Sequence, residues 1–185
     1  MNRQSIMMLH SLLAAFTLPA ALMFLVTGAL YTWGSKGSYK SEIHEIALEE
    51  PISADFDLLL ALTQAELDAR KVSSPEGKPK VKTYGSHFLL EWTGSSKDVI
   101  LEPTNDPQVA KLTVKDTSWY RAFVQLHKAK GGNIFKVYAA FFALTLAALL
   151  LSGFIMAWQM PRLRSATMVA TALGLATFFV VVWLS

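Results

Sequence analysis

Charged residues avoid three windows of this chain. Residues 4–35, 137–161 and 165–185 run 32, 25 and 21 residues without Asp, Glu, Lys or Arg. About 20 apolar residues suffice to cross a bilayer core as a helix, and an ionised side chain is costly there. The windows predict three membrane-spanning helices, at 6–33, 134–160 and 165–184. Residues 36–136 hold 28 of the 31 charges, 14 of each sign, so this stretch belongs in water. Arg3, Arg162 and Arg164 alone make up the formal net charge of +3. The basic balance is therefore a matter of topology, and nucleic acid need not be invoked. The fold class expected is an α-helical integral membrane protein with an inserted small α+β extracytoplasmic module.

Basic residues in short flanks stay on the cytoplasmic side, whereas long loops translocate largely regardless of charge. Arg3 then marks the N-terminus as cytoplasmic. Arg162 and Arg164 mark the turn between spans two and three in the same way. The 36–136 stretch and Ser185 are expected on the far side, the periplasm of a bacterial inner membrane. Tyr31, Trp33, Trp158 and Trp183 fall where interfacial aromatics belong. The apolar run Ile6–Trp33 exceeds a cleavable leader's core of about 7–15 residues, so a retained anchor is expected. Cysteine is absent, which removes disulfides and thiolate chemistry.

The exported module is expected over 34–116. Residues 34–52 read as a polar, turn-rich juxtamembrane linker. Ser53 reads as the N-cap of a helix through Arg70, followed by a loop at 73–79. Strand-like runs follow at Lys80–Tyr84, His87–Thr93, Asp98–Glu102 and Val109–Val114, separated by Gly85-Ser86, Gly94-Ser95-Ser96 and a Pro103–Pro107 turn cluster. The second and third runs read as hairpin partners. Phe56, Leu59, Leu60, Leu89, Ile100 and Val114 are the expected core. His44 and His87 have no neighbouring ligand at metal spacing. An interfacial amphipathic segment is expected over 117–132, with Ser118 as cap and Trp119, Tyr120, Phe123 and Leu126 on one side.

The chain also echoes itself. Leu9-His10 opens the first half, which closes on Thr27-Gly28 with Trp33 five residues after the glycine. Leu126-His127 opens the second, which closes on Ser152-Gly153 with Trp158 at the same spacing. The two spans cross in opposite directions, so this is an inverted-topology echo. A Leu-His start to span one, a small exported α+β module, and a second Leu-His before a span closing in small-Gly…Trp resemble the PepSY-associated transmembrane family. The resemblance implies a module like the inhibitory propeptide domain of thermolysin-like metalloproteases. It also implies kinship with larger, commonly four-helix, iron-regulated inner-membrane proteins, some of which bind b-type haem and reduce ferric siderophores. This chain departs in having three spans and no histidine in spans two and three.

His10 and His127 are the candidate haem ligands, since an ionisable residue within a span marks a site by default and imidazole is a common haem ligand. The plain alternative places both in wet headgroup layers. They are expected about a bilayer thickness apart, so each haem would need a further ligand from a second copy or a partner. Ala139, Ala143 and Ala147 in span two, and Ala166, Ala170 and Gly174 in span three, recur every four residues. They read as close-packing faces, of an intramolecular hairpin first and of a homodimer seam second. Met156 and Met160 read as packing residues rather than metal ligands, and Pro19 as a kink in span one.

Two functions are expected. The first is a non-catalytic tethered module that binds or regulates an exported partner. The alternative is a b-haem electron-transfer subunit linked to reduction of iron complexes. The bilayer is the assured partner, with another membrane or periplasmic protein, or a second copy, beside it.

Overall fold

The computed structural model of the chain describes residues 3–85 and 87–185. Its elements run α1 (Arg3–Thr32), β1 (Tyr39–Ala47), α2 (Phe56–Ala69), β2 (Lys80–Tyr84), β3 (His87–Thr93), β4 (Lys97–Pro103), β5 (Val109–Thr117), α3 (Trp119–His127), α4 (Asn133–Trp158) and α5 (Pro161–Leu184). Among the described residues, three helices are long and apolar enough to cross a membrane: Gln4–Thr32, Asn133–Gln159 and Pro161–Leu184. The protein is a multi-pass α-helical membrane protein with an α+β module between its first two spans. Ser86, half of the expected β2–β3 turn, lies outside the described residues. Contacts divide the chain into two compact units, Leu22–Ala139 and Met1–Ala21 with Ala140–Ser185.

Within the first of these units, five strands among the described residues form one antiparallel sheet in the order β1-β5-β4-β3-β2. The β3–β4 hairpin arises as the sequence suggests, with Leu90 opposite Leu101 and Trp92 opposite Val99. β1 was expected to be linker. Its charges (Lys40, Glu42, Glu45) hide the pattern, and the strand stays polar because it is an edge burying only Ile46. β5 runs three residues further than expected, and these pair with β1, Lys115 and Asp116 pairing with β4 as well.

One face of the sheet carries Leu90, Trp92, Val99, Leu101, Ala110, Leu112 and Val114, packed on Leu59 and Leu67 of α2. Leu59 and Val114 belong to this core as expected, and Leu60 packs against it. Leu89 and Ile100 do not. Successive strand residues point to opposite faces, and these two lie one position out of step with the buried set. Phe56 is exposed. The α2 cap is Asp55, whose carboxylate accepts the Leu58 N–H at 2.9 Å. The helix therefore begins three residues after Ser53, because Asp55 satisfies the first-turn amide itself.

The other face of the sheet receives α3, capped by Ser118 as expected and ending at His127. Its buried residues are Val124 and Gln125, while Trp119 and Phe123 are exposed. The aromatic side thus points away from the module. α3 ends in a left-handed turn: Ala129 has φ 57°, the Ala129 N–H reaches the Leu126 carbonyl, and the Lys130 N–H reaches that of Gln125. The loop before β2 is latched by Glu76, whose carboxylate accepts from Ser95 N–H at 2.9 Å and Ser96 O–H at 2.5 Å. Burial works to raise the Glu76 pKa, but these bonds outweigh it and hold the carboxyl below its ordinary value.

In the other unit, residues of α1 and α4 pack together through Phe16 and Phe141, whose rings meet edge-on at 6.5 Å. The buried residues of α4 are Phe142 and Thr145. Ala143, Ala147, Ala166, Ala170 and Gly174 are exposed, Ala139 of the neighbouring unit is half-buried, and a Cβ at Gly174 would meet nothing within 4 Å. Five of the six stripe positions are thus uncovered in this structure. The buried residues of α4, Phe142 and Thr145, lie on the face turned away from the alanine row, with Ser152 half-buried along it.

Candidate functional site

His10 stands in the third turn of α1, and its Nδ1 lies 2.9 Å from Ser152 Oγ of α4. The Ser152 hydroxyl donates to the Leu149 carbonyl at 3.1 Å. A hydroxyl has one hydrogen. While that hydrogen serves the backbone, the serine oxygen can only accept, an arrangement that selects the His10 tautomer protonated on Nδ1. Nε2 is then the nitrogen with the free lone pair. Gly153 lies beside the ring, where a Cβ would stand 3.6 Å from His10 Cε1.

His127, the last residue of α3, is held by the same parts. Its Nδ1 lies 2.8 Å from Thr27 Oγ1 of α1, and that hydroxyl donates to the Met23 carbonyl at 2.5 Å. The same reasoning puts the proton on Nδ1 and the lone pair on Nε2. Gly28 lies against the ring, where a Cβ would come within 3.2 Å of Cε1. Phe24 packs on the imidazole at 5.1 Å, and Lys128 Nζ sits 5.6 Å over the Tyr31 ring. The two halves of the sequence echo thus exchange partners. The histidine of each half closes on the hydroxyl-glycine pair of the other.

Each clasp borders a cavity. The one beside His10 measures about 450 Å³ and is lined also by Met7, Ser11, Gly153, Met156 and Met160. The one beside His127 measures about 280 Å³, between Thr27, Gly28, Tyr31, Thr32 and Lys128. The family model described as the PepSY-associated TM region matches residues 1–160. The chain belongs to the PepSY-associated transmembrane family. No curated protein and no solved structure matches it.

This PepSY-associated chain also fixes α3 through a polar cluster that the sequence did not reveal. Asp98 of β4 is buried and accepts Tyr39 O–H at 2.8 Å and Gln125 Nε2 at 3.0 Å, with Lys130 Nζ at 3.7 Å. Arg121 Nη2 donates to Tyr39 Oη at 2.7 Å. Burial pushes the Tyr39 phenol up, the Arg121 bond opposes this, and Asp98 adds to the rise. Gln125 lies two residues before His127, so the cluster sets where the α3 imidazole stands. The only sequence signal was an uncharged amide on the side of α3 opposite its aromatics. His44 and His87 join neither clasp, and among the described residues no group of three or more His, Cys, Asp or Glu is placed to hold a metal ion.

Proposed function

We propose that this chain is a membrane subunit for electron transfer in which His10 and His127 would each help to hold a b-type haem through Nε2. The observation that carries the reading is the duplicated clasp. Ligating histidines usually donate their other N–H to a fixed acceptor, which sets the tautomer and the ring plane. Ser152 and Thr27 do that here, and each ring borders a cavity. When bound, haem supplies one-electron chemistry at a potential set by its axial ligands.

The residues present would hold the group through one imidazole at each clasp. Beside His10, the thioethers of Met7, Met156 and Met160 line the same cavity and are soft donors that would help to hold it. Beside His127 no such donor lines the cavity, and a second copy or a membrane or periplasmic partner would supply it. Gly28 and Gly153 keep Cβ atoms away from the ring edges. In this reading the N-terminus is cytoplasmic, the module and Ser185 are periplasmic, and electrons pass outward toward iron complexes.

The test is an absorbance spectrum of the purified full-length protein, oxidised and dithionite-reduced. A haem band pair is expected, reduced in part by His10→Ala or His127→Ala and abolished by both. A colourless protein after expression with haem supplied would overturn the reading. A second reading is a tethered module that binds or regulates an exported partner without catalysis. It is favoured by the open edges β1 and β2, where Ile43 and Tyr84 are exposed, since open edges accept added strands.

A further inference from the structure

Five lysines converge on one concavity of the module. It measures about 350 Å³ and is lined by Gly77, Lys78, Lys80, Lys82, Glu91, Thr93, Ala129, Lys130 and Lys136. Glu91 is the sole acidic side chain in that lining. Lys82 is paired with it at 2.5 Å, and the Glu91 bond holds the Lys82 ammonium above its ordinary pKa. Lys130 reaches Asp98 at 3.7 Å. Among the described residues no ion pair is formed by Lys78, Lys80 or Lys136. Like charges gathered in one hollow repel, and an anion in it removes that cost.

The fold assembles this hollow from separated parts. Lys80 and Lys82 alternate on β2 and share a face with Glu91 and Thr93 of β3, away from the core under α2. Lys78 is held close because the chain at Gly77 runs against β3, where any Cβ would collide with the Thr93 carbonyl. Lys130 is delivered by the turn at Ala129, whose φ of 57° is rare for a residue with a side chain. Lys136 stands in the first turn of α4. That helix is about 39 Å long at 1.5 Å per residue, and the hydrocarbon core is about 30 Å. Lys136 therefore belongs to the headgroup layer.

We propose that this hollow binds a phosphate group, and that the source is the headgroup of an anionic phospholipid from the leaflet in which α4 begins. Lysine ammonium groups are compact point charges suited to phosphate, and Thr93 adds a hydroxyl. At about 350 Å³ the hollow has room for one headgroup. The site is independent of the haem reading.

The experiment uses the full-length protein in a neutral detergent. Retention of phosphatidylglycerol against phosphatidylcholine is measured by native mass spectrometry, and melting is followed with each lipid and with inorganic phosphate. Preferential retention of phosphatidylglycerol is expected, falling about five-fold for each of Lys80→Gln and Lys136→Gln. Lys40→Gln, at an exposed lysine elsewhere on the module, should leave it unchanged. A melting rise with inorganic phosphate, lost in the same variants and without lipid preference, supports the phosphate site and assigns a soluble source. No discrimination between lipids together with no phosphate response overturns the proposal. So does wild-type binding by a folded Lys80→Gln/Lys136→Gln double variant.

Discussion

A missing methyl group sets how closely His127 approaches α1. The Cβ of an alanine at position 28 would stand 3.2 Å from the imidazole, inside ordinary van der Waals distance. The ring would have to shift by a few tenths of an ångström, loosening its 2.8 Å bond to Thr27. Gly28→Ala is expected to cost about 1–3 kcal/mol, in the manner of overpacked cores. Gly153 occupies the equivalent place, but its Cβ would sit at an ordinary 3.6 Å. Gly153→Ala should be neutral or gain up to about 1 kcal/mol from helix propensity. Thermal melting of both variants in detergent checks the asymmetry. Equal losses would mean that the glycines serve something other than the clasps.

At the scale of elements, α3 is the part whose position matters most, and it is pinned by Asp98. Asp98→Ala would leave the half-buried Tyr39 hydroxyl without its acceptor and the buried Gln125 amide with only the Tyr39 oxygen to donate to. Each stranded group costs about 1–3 kcal/mol, so α3 should loosen and His127 exchange its environment. Asp98→Asn keeps one carbonyl acceptor and should be milder. Hydrogen exchange of the Trp119–His127 amides reads this out, and unchanged protection in Asp98→Ala would rule out the pinning. These contacts join residues far apart in the chain, which explains why the pattern of residues did not announce them. The strands β2, β3 and β4 were legible because apolar runs and Gly/Pro turns bound them on both sides. β1 was not, since an open edge strand buries one residue and carries charges elsewhere. Leu89 and Ile100 were misplaced for a related reason: in Leu89-Leu90 and Val99-Ile100-Leu101 both faces are apolar, and only the partner element decides which is inside. The histidines were legible because each repeats a short pattern. Their hydroxyl acceptors lay in that pattern too, but nothing in it said that the halves would exchange.

For the molecule as a whole, the orientation we propose rests on the placement of the unbalanced arginines. With Arg3, Arg162 and Arg164 cytoplasmic, a reporter active only in the cytoplasm should be active when fused at Arg164 and silent at Ser96 and Ser185. A silent Arg164 fusion would reverse the orientation argued here. The exchange of partners between halves also has a consequence for biogenesis. Thr27 and His127 are 100 residues apart, and His10 and Ser152 are 142 apart. A ribosome adding about 5–20 residues per second delivers the later partner only after the module has left the tunnel. Span one therefore enters the bilayer with its imidazole unclasped, and the module can fold first. The second span then arrives as a late latch that closes on the first, so a chain arrested before residue 152 would present His10 open to its surroundings.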